Sequence, residues 1–527
     1  MKKYRLSLRF LYLLPGICFL FSCNNDTSQK RFEIPVETIL KLDSTEVGIT
    51  TILDSLNVPW EIAWGPDDQI WFTQQGGTVS RVDPHTGSTK KLLDITPQIH
   101  LHRTMGLLGM ALYVVKNQQF VVLNYTTYTA DSLLVSRLER YTYAKDTLID
   151  PLVLLEIPGG AGGHNGSRVI ISAGKIFWAT GDAGRSANSQ DISSLNGKIL
   201  RLNLDGSVPD DNPYRGSLVW SLGHRNIQGL VAIREGKLFS AEHGEATDDE
   251  VNLISKGTNY GWPRVQGFCD KPEERLFCDS VPVREPLKAW TPCIAPSGLD
   301  YYHSNKIPEW HNSLLLLTLK GVSLRALTLN AGKTNVLGEK IYFDHHFGRL
   351  RDICISPTGD IYIATSNRDW NPLGVPAEND DRIIRVAKIS DLDNLARVQA
   401  QKAKGSESAV VASSEEGAVG EKLYVDYCAS CHKQDGKGVE GIFPALQNNT
   451  YLSGDKTQLT KILLQGSIAL PPGKKDNNAG SEKMPSFNFL TDQQVADLLS
   501  YMRQKWGAHP QERSEAEEVY KIRKQIK

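Results

Sequence analysis

Charge of one sign is what this chain most plainly lacks. Its 59 basic and 60 acidic residues nearly cancel and no block of like charge interrupts them, which argues against nucleic acid as a partner. Long apolar runs are equally scarce. The one candidate, Phe10 to Phe21, is short and broken by Pro15-Gly16, too little for a membrane-spanning helix. Long periodic helices are few in the first 390 residues, and with 44 glycines in the chain this points to a turn-rich β architecture there. Cysteine is sparse, with eight residues in 527, and methionine sparser, with five. The length itself exceeds one ordinary domain, so two or more units are expected.

The apolar run comes after Lys2, Lys3, Arg5 and Arg9 and ends Leu20-Phe21-Ser22-Cys23. A positive start, an apolar stretch and a terminal cysteine resemble a bacterial lipoprotein signal. Residues 1–22 are therefore expected to be removed, and residues 23–45 to form a tether. A lipid on Cys23 would anchor the exported chain to a membrane of the bacterial cell envelope. Four cysteines then remain outside the signal and a Cys-x-x-Cys pair: Cys269, Cys278, Cys293 and Cys354. A short polar loop favours a Cys269–Cys278 disulfide, and Cys293 and Cys354 read as small buried hydrophobes.

A repeat runs through residues 50–390. Gly65-Pro66-Asp67-Asp68-Gln69-Ile70-Trp71-Phe72-Thr73 compares with Ser172 to Thr180, with Glu235-Gly236-Lys237-Leu238-Phe239 and with Ser356 to Ala364. Each reads as a hairpin in which Gly or Asp turns the chain and alternating apolar residues form a half-buried strand. Hairpins in series favour a β-propeller over a β-sandwich, without fixing the number of blades. The propeller is expected over residues 46–390. Residues 391–418 lack periodicity and read as a flexible linker isolating the propeller from the C-terminal unit. That unit is expected to be helical over 419–507, because Val495, Leu498, Leu499 and Met502 form one apolar stripe behind a capping Thr491. Residues 508–527 read as a polar tail.

Cys428-Ala429-Ser430-Cys431-His432 is the most specific motif in the chain. Two thiols two residues apart can add to the two vinyl groups of one haem, leaving the adjoining histidine beneath the iron. The sixth ligand must come from downstream, where only Met484 and Met502 are available and His509 lies past the last helix. Met502 lies on the apolar stripe and reads as core; Met484, before Pro485 in an irregular loop, is the expected ligand. With the Gly436-Lys437-Gly438 turn, residues 418–507 resemble class I cytochromes c, which implies a small all-α domain carrying haem c.

In the propeller half, polar clusters fall where strands end: Gly163-His164-Asn165-Gly166, Gly181-Asp182-Ala183-Gly184-Arg185, Gly223-His224-Arg225-Asn226 and His243-Gly244-Glu245. Four cations at such positions, Arg225, Lys320, Arg349 and Arg351, suggest a polyanionic ligand. The stretch from Leu53 to Ala387 then resembles the PQQ-dependent glucose and aldose sugar dehydrogenases, the glucose/sorbosone dehydrogenase family. Trp64-Gly65-Pro66-Asp67, Gly106-Leu107-Leu108-Gly109, Gly197 to Ser207, Asp248 to Ile254 and Asn259-Tyr260-Gly261-Trp262-Pro263 carry that resemblance.

The resemblance implies a mainly β, six-bladed propeller that oxidises a sugar with PQQ. His164 would be the general base, and Arg225 would polarise the quinone oxygens beside Asn226. Lys320, Arg349 and Arg351 would neutralise the cofactor carboxylates. Ca²⁺ would sit on the main-chain carbonyls of Gly244 and Glu245, and a second Ca²⁺ on Asp249, Glu250 and Tyr260. Trp290 would offer a stacking surface to the sugar ring. The departures, at Thr104, Gly163, His243 and Ala187, fall on the substrate side. Two function classes are open. One is a quinohaemoprotein dehydrogenase passing electrons from an aldose or related alcohol through its haem to an external acceptor, a cytochrome or respiratory-chain component. The other is a non-catalytic, carbohydrate-binding propeller joined to an electron carrier.

Overall fold

In the computed structural model, which describes residues 34–160, 163–233, 236–369, 376–389, 415–439, 443–470, 484–507 and 512–526, the quoted repeats are hairpins between the first two strands of four propeller blades. Pro59–Trp64 pairs with Ile70–Gln74, Gly166–Ser172 with Lys175–Thr180, Ile227–Ala232 with Leu238–Glu242, and Leu350–Ile355 with Ile361–Thr365. The signal, Cys23 and almost all of the linker lie outside the described residues. Among the described residues six antiparallel sheets are present, five of four strands and one of five. Two blades escaped the repeat. One turns at Lys116-Asn117, both in the left-handed region, and the other through a longer loop containing Pro308–Trp310.

The first strands of successive blades pack side by side and close a ring. The last blade is completed by the N-terminal strands, with Glu46–Leu53 pairing along Ile383–Lys388. Strands expected to be half-buried are nearly all buried: Ile361–Thr365 is buried throughout and Ile70–Gln74 at four of its five positions. Each blade is sandwiched between two others, so both faces of a strand meet apolar neighbours.

The described residues between 415 and 526 build a helical domain whose core includes Leu423, Tyr424, Leu463, Val495, Leu498, Leu499 and Met502. Thr491 caps the helix Asp492–Trp506 as expected, accepting from the Gln494 amide. Gly436 has φ 72°, and a Cβ there would stand 2.5 Å from the Trp506 ring. The tail departs from expectation. Ala516–Gln525 is a helix that buries Val519 and Ile522 in the same core and ties Arg523 to Asp492 at 2.7 Å. Two apolar residues three apart are too brief a pattern to mark a packing helix. Cys269 and Cys278 form the expected disulfide.

Candidate active site

His164 stands in the loop between the strands Thr147–Pro158 and Gly166–Ser172, with φ 53°. Gly181 makes room for it, because a Cβ there would lie 1.8 Å from the His164 carbonyl oxygen. The ring nitrogen Nδ1 meets Asp182 Oδ1 at 2.8 Å, and Asp182 also accepts from Trp262 Nε1 at 2.9 Å. Burial would raise the Asp182 carboxyl, but the bond from His164 and the charge of Arg225 outweigh it and hold the pKa below the usual value. An ionised carboxylate only accepts, so Nδ1 is the donor, and in the neutral imidazole the lone pair is on Nε2.

Arg225 lies over the Trp262 ring at 5.2 Å, and its Nε is buried without an acceptor. The Nε of Arg351 is likewise buried and unpartnered. Arg349 and Arg351 share one carboxylate, Asp369. Burial pushes the Arg349 guanidinium down to about 10 and lowers that of Arg351 as well. Asn226 accepts from the Gly166 amide at 3.2 Å. His243 bonds Pro296 O through Nε2 at 2.9 Å, and burial with Arg225 beside it pushes its pKa down to about 3.

Cys428 closes the helix Glu415–Tyr427, and Cys431 and His432 occupy the turn Ala429–His432. The Pro444 carbonyl accepts from His432 Nδ1 at 2.9 Å, which leaves Nε2 for an iron ligand. Met484 is half-buried with its amide on Ser467 Oγ at 2.7 Å, whereas Met502 is 4 % exposed within the core. Apolar residues including Leu446, Ile462, Leu463 and Phe487 line the space around them.

One cavity of about 1520 Å³ is lined by His164, Arg225, Lys320, Arg349 and Arg351 and also by Cys428, Cys431, His432 and Met484. A single small-molecule site occupies roughly 300–1,000 Å³, so this space suits two large groups. The isolation of the two domains expected from the linker is not what the structure has. Lys320 Nζ donates to the main-chain carbonyl of Asp426, two residues before Cys428, and Ala246 packs against the helical core. A cation at the carbonyl end of a helix is a favourable pairing.

Other expectations need correction. Trp290 does not line the cavity: it is 8 % exposed, bonds Glu339 through Nε1 and sits in the core between blades. Cys293 is not a buried hydrophobe but a half-buried free thiol on the cavity wall, unlike the buried Cys354. Of the three residues expected to hold a second Ca²⁺, Glu250 and Tyr260 line one small cavity with Asp248. The Asp249 carboxylate accepts from three main-chain amides, Gly244, Ile294 and Ala295, and the Tyr260 hydroxyl is held by Ser255 and Leu253. Glu250 lies near Glu242, sharing Asn252, and burial together with that charge raises its pKa well above the usual range. Among the described residues no group of three or more His, Cys, Asp or Glu is arranged to hold a metal ion.

Asp182 is the functional neighbour the sequence hid. It stood in a quoted cluster, but only the hairpin register, Gly166 opposite Thr180, brings it to His164.

Residues 56–373 match the family model for glucose / sorbosone dehydrogenase, and residues 417–506 that for cytochrome c. Quinoprotein glucose dehydrogenase B of Acinetobacter calcoaceticus is 30 % identical over 444 residues, covering 67 % of this chain and 93 % of its own. The cytochrome c subunit of a quinone alcohol dehydrogenase from Gluconobacter oxydans is 35 % identical over 121 residues, 23 % of this chain and 25 % of that one. Among solved structures, the PQQ-bound aldose sugar dehydrogenase of Streptomyces coelicolor superposes with a TM-score of 0.56 at 30 % identity, covering 65 % and 98 %. The chain belongs to the glucose/sorbosone dehydrogenase family, with a cytochrome c domain C-terminal to the propeller.

Proposed function

We propose that this protein is a quinohaemoprotein dehydrogenase that oxidises an aldose or a related alcohol and delivers the electrons through its own haem c to an external acceptor. The observation that carries the reading is the single cavity lined by both the His164 cluster and the Cys428–His432 motif. Bound PQQ supplies a two-electron acceptor and bound haem c a one-electron carrier. His164 takes the proton of the sugar hydroxyl at Nε2, because Asp182 fixes the opposite nitrogen as a donor. Arg225 presents an unpaired, buried Nε–H to a developing oxyanion, held in place by Trp262, with Asn226 beside it. Lys320, Arg349 and Arg351 hold the cofactor carboxylates, and two of these cations share a single acid, so their charge is not fully spent inside the protein.

Cys428 and Cys431 would hold the haem covalently, and His432 and Met484 would be the ligands to its iron. Ca²⁺ would sit on the main-chain carbonyls of Gly244 and Glu245. A second Ca²⁺ would draw on Asp249, Glu250 and Tyr260, whose side chains are already bonded within the chain. Export and a lipid on Cys23 complete the reading.

The test is the visible spectrum of the purified protein, reconstituted with PQQ and Ca²⁺, before and after a panel of aldoses. Reduction of the haem by at least one sugar is expected. No reduction with any member would favour the binding-module reading.

A further inference from the structure

The propeller supplies few aromatic faces to a sugar. Among the described residues its cavity-lining indoles are Trp60 and Trp262. Both already carry guanidinium groups: Arg168 and Arg351 lie over Trp60 at 4.6 and 5.9 Å, and Arg225 over Trp262 at 5.2 Å. The helical domain brings another ring to the same space. Tyr427 lines the cavity, half-buried, immediately before Cys428. It meets Phe487 and Phe489 at 6.1 and 5.5 Å, tilted by 69° and 60°, so neither stacks flat on it. Cys293 and Lys320 of the propeller line the same cavity, and Lys320 bonds the carbonyl of Asp426, the residue before Tyr427. Tyr427 therefore stands where the two domains face each other.

We infer that Tyr427 is a wall of the sugar pocket, contributed by the haem domain, and that it limits the substrate to small saccharides. The inference rests on the proposed dehydrogenase function and adds its selectivity. A phenol ring with a polar tip suits the mixed apolar and hydroxylated face of a sugar. Space makes the limit steep. Two large cofactors would share the 1520 Å³ with the substrate, so a ring on the wall narrows what is left for the sugar. The Lys320 bond to the Asp426 carbonyl holds this wall against the propeller.

The test uses full-length holoprotein with two independent readings. With a dye as acceptor, Tyr427→Ala should raise the ratio of kcat/KM for maltotriose over glucose about tenfold or more, and Tyr427→Phe should keep the wild-type ratio. Independently of turnover, Cys293 reports on access. At alkaline pH and with long exposure, needed because burial and Asp249 push the Cys293 thiol up, a small methanethiosulfonate should label it in the wild type and a polymer-linked maleimide should not, as read from the mass of the Cys293 peptide. Tyr427→Ala should admit the polymer reagent. If Tyr427→Ala fails to attach haem, Tyr427→Trp serves instead and should lower the ratio. An unchanged sugar ratio, or equal labelling by both reagents in the wild type, overturns the inference. A wild type that oxidises no aldose sinks the dehydrogenase reading instead, and the labelling then decides alone whether the haem domain walls the cavity.

Discussion

His164 Nδ1 donates to Asp182 at 2.8 Å across 18 positions of sequence, and Trp262 holds the second oxygen of the same carboxylate. The pair leaves one imidazole nitrogen able to take a proton, at the wall of a cavity that the haem motif also lines.

Asp182→Asn should therefore cost turnover much as His164→Gln does. A positioned base is worth about 10²–10⁴ in rate, and an amide in place of the carboxylate can stabilise the wrong tautomer. Steady-state kinetics of the two single variants and the double variant check this. The double should fall little below the worse single, because both act as one unit. Full additivity would show that the two residues act separately.

The two downstream methionines should separate cleanly. Met484→Ala should remove the weak sulfur-to-iron absorption band and lower the haem potential. Met502, 4 % exposed in the helical core, should on truncation cost about 2–5 kcal/mol of stability with the band retained. Spectra and denaturation curves of both variants decide it. The reverse pattern would reassign the ligand.

Lys320 serves two masters. Lys320→Ala should weaken PQQ retention by about 10- to 100-fold, the worth of a hydrogen bond to a charged group. Added PQQ should restore dye-coupled turnover. It should not restore the rate at which sugar reduces the haem, since the bond to the Asp426 carbonyl is lost as well. Equal recovery of both rates would show that the contact between domains is idle.

Asp300 should make stability fall with rising pH. Burial, with Asp352 nearby, raises its carboxyl to about 7. The folded chain keeps a proton that the unfolded chain releases in the ordinary carboxylate range, so the stabilisation is whole below that range and is lost as pH climbs through about 7. Thermal midpoints measured between about pH 5 and about pH 8 should fall less in Asp300→Asn than in the wild type. Identical slopes would assign the dependence to other buried acids.

Much of this was legible because local chemistry dictated it. Turns such as Ser356–Gly359 announce themselves by residue type, and a thiol pair with an adjacent histidine needs no tertiary context. Four hairpins could be read, whereas Lys116-Asn117 turns the chain with residues that carry no strong signal. What the sequence withheld depends on long-range packing. Nothing near Trp290 says that its indole turns toward Glu339 rather than toward a ligand. Nothing near Lys320 says that its ammonium meets a carbonyl 106 residues away. Asp182 reaches His164 only through a strand register with a bulge.

The pairing of Val47 with Lys388 puts the beginning and the end of the propeller on neighbouring strands of one sheet. The ring therefore has no privileged starting point. A circularly permuted chain, joined across that blade and opened at another surface turn, would contain the same sheets and the same ring. The haem domain, moved to the new N-terminal side of that junction, would still be tethered from the same corner of the molecule.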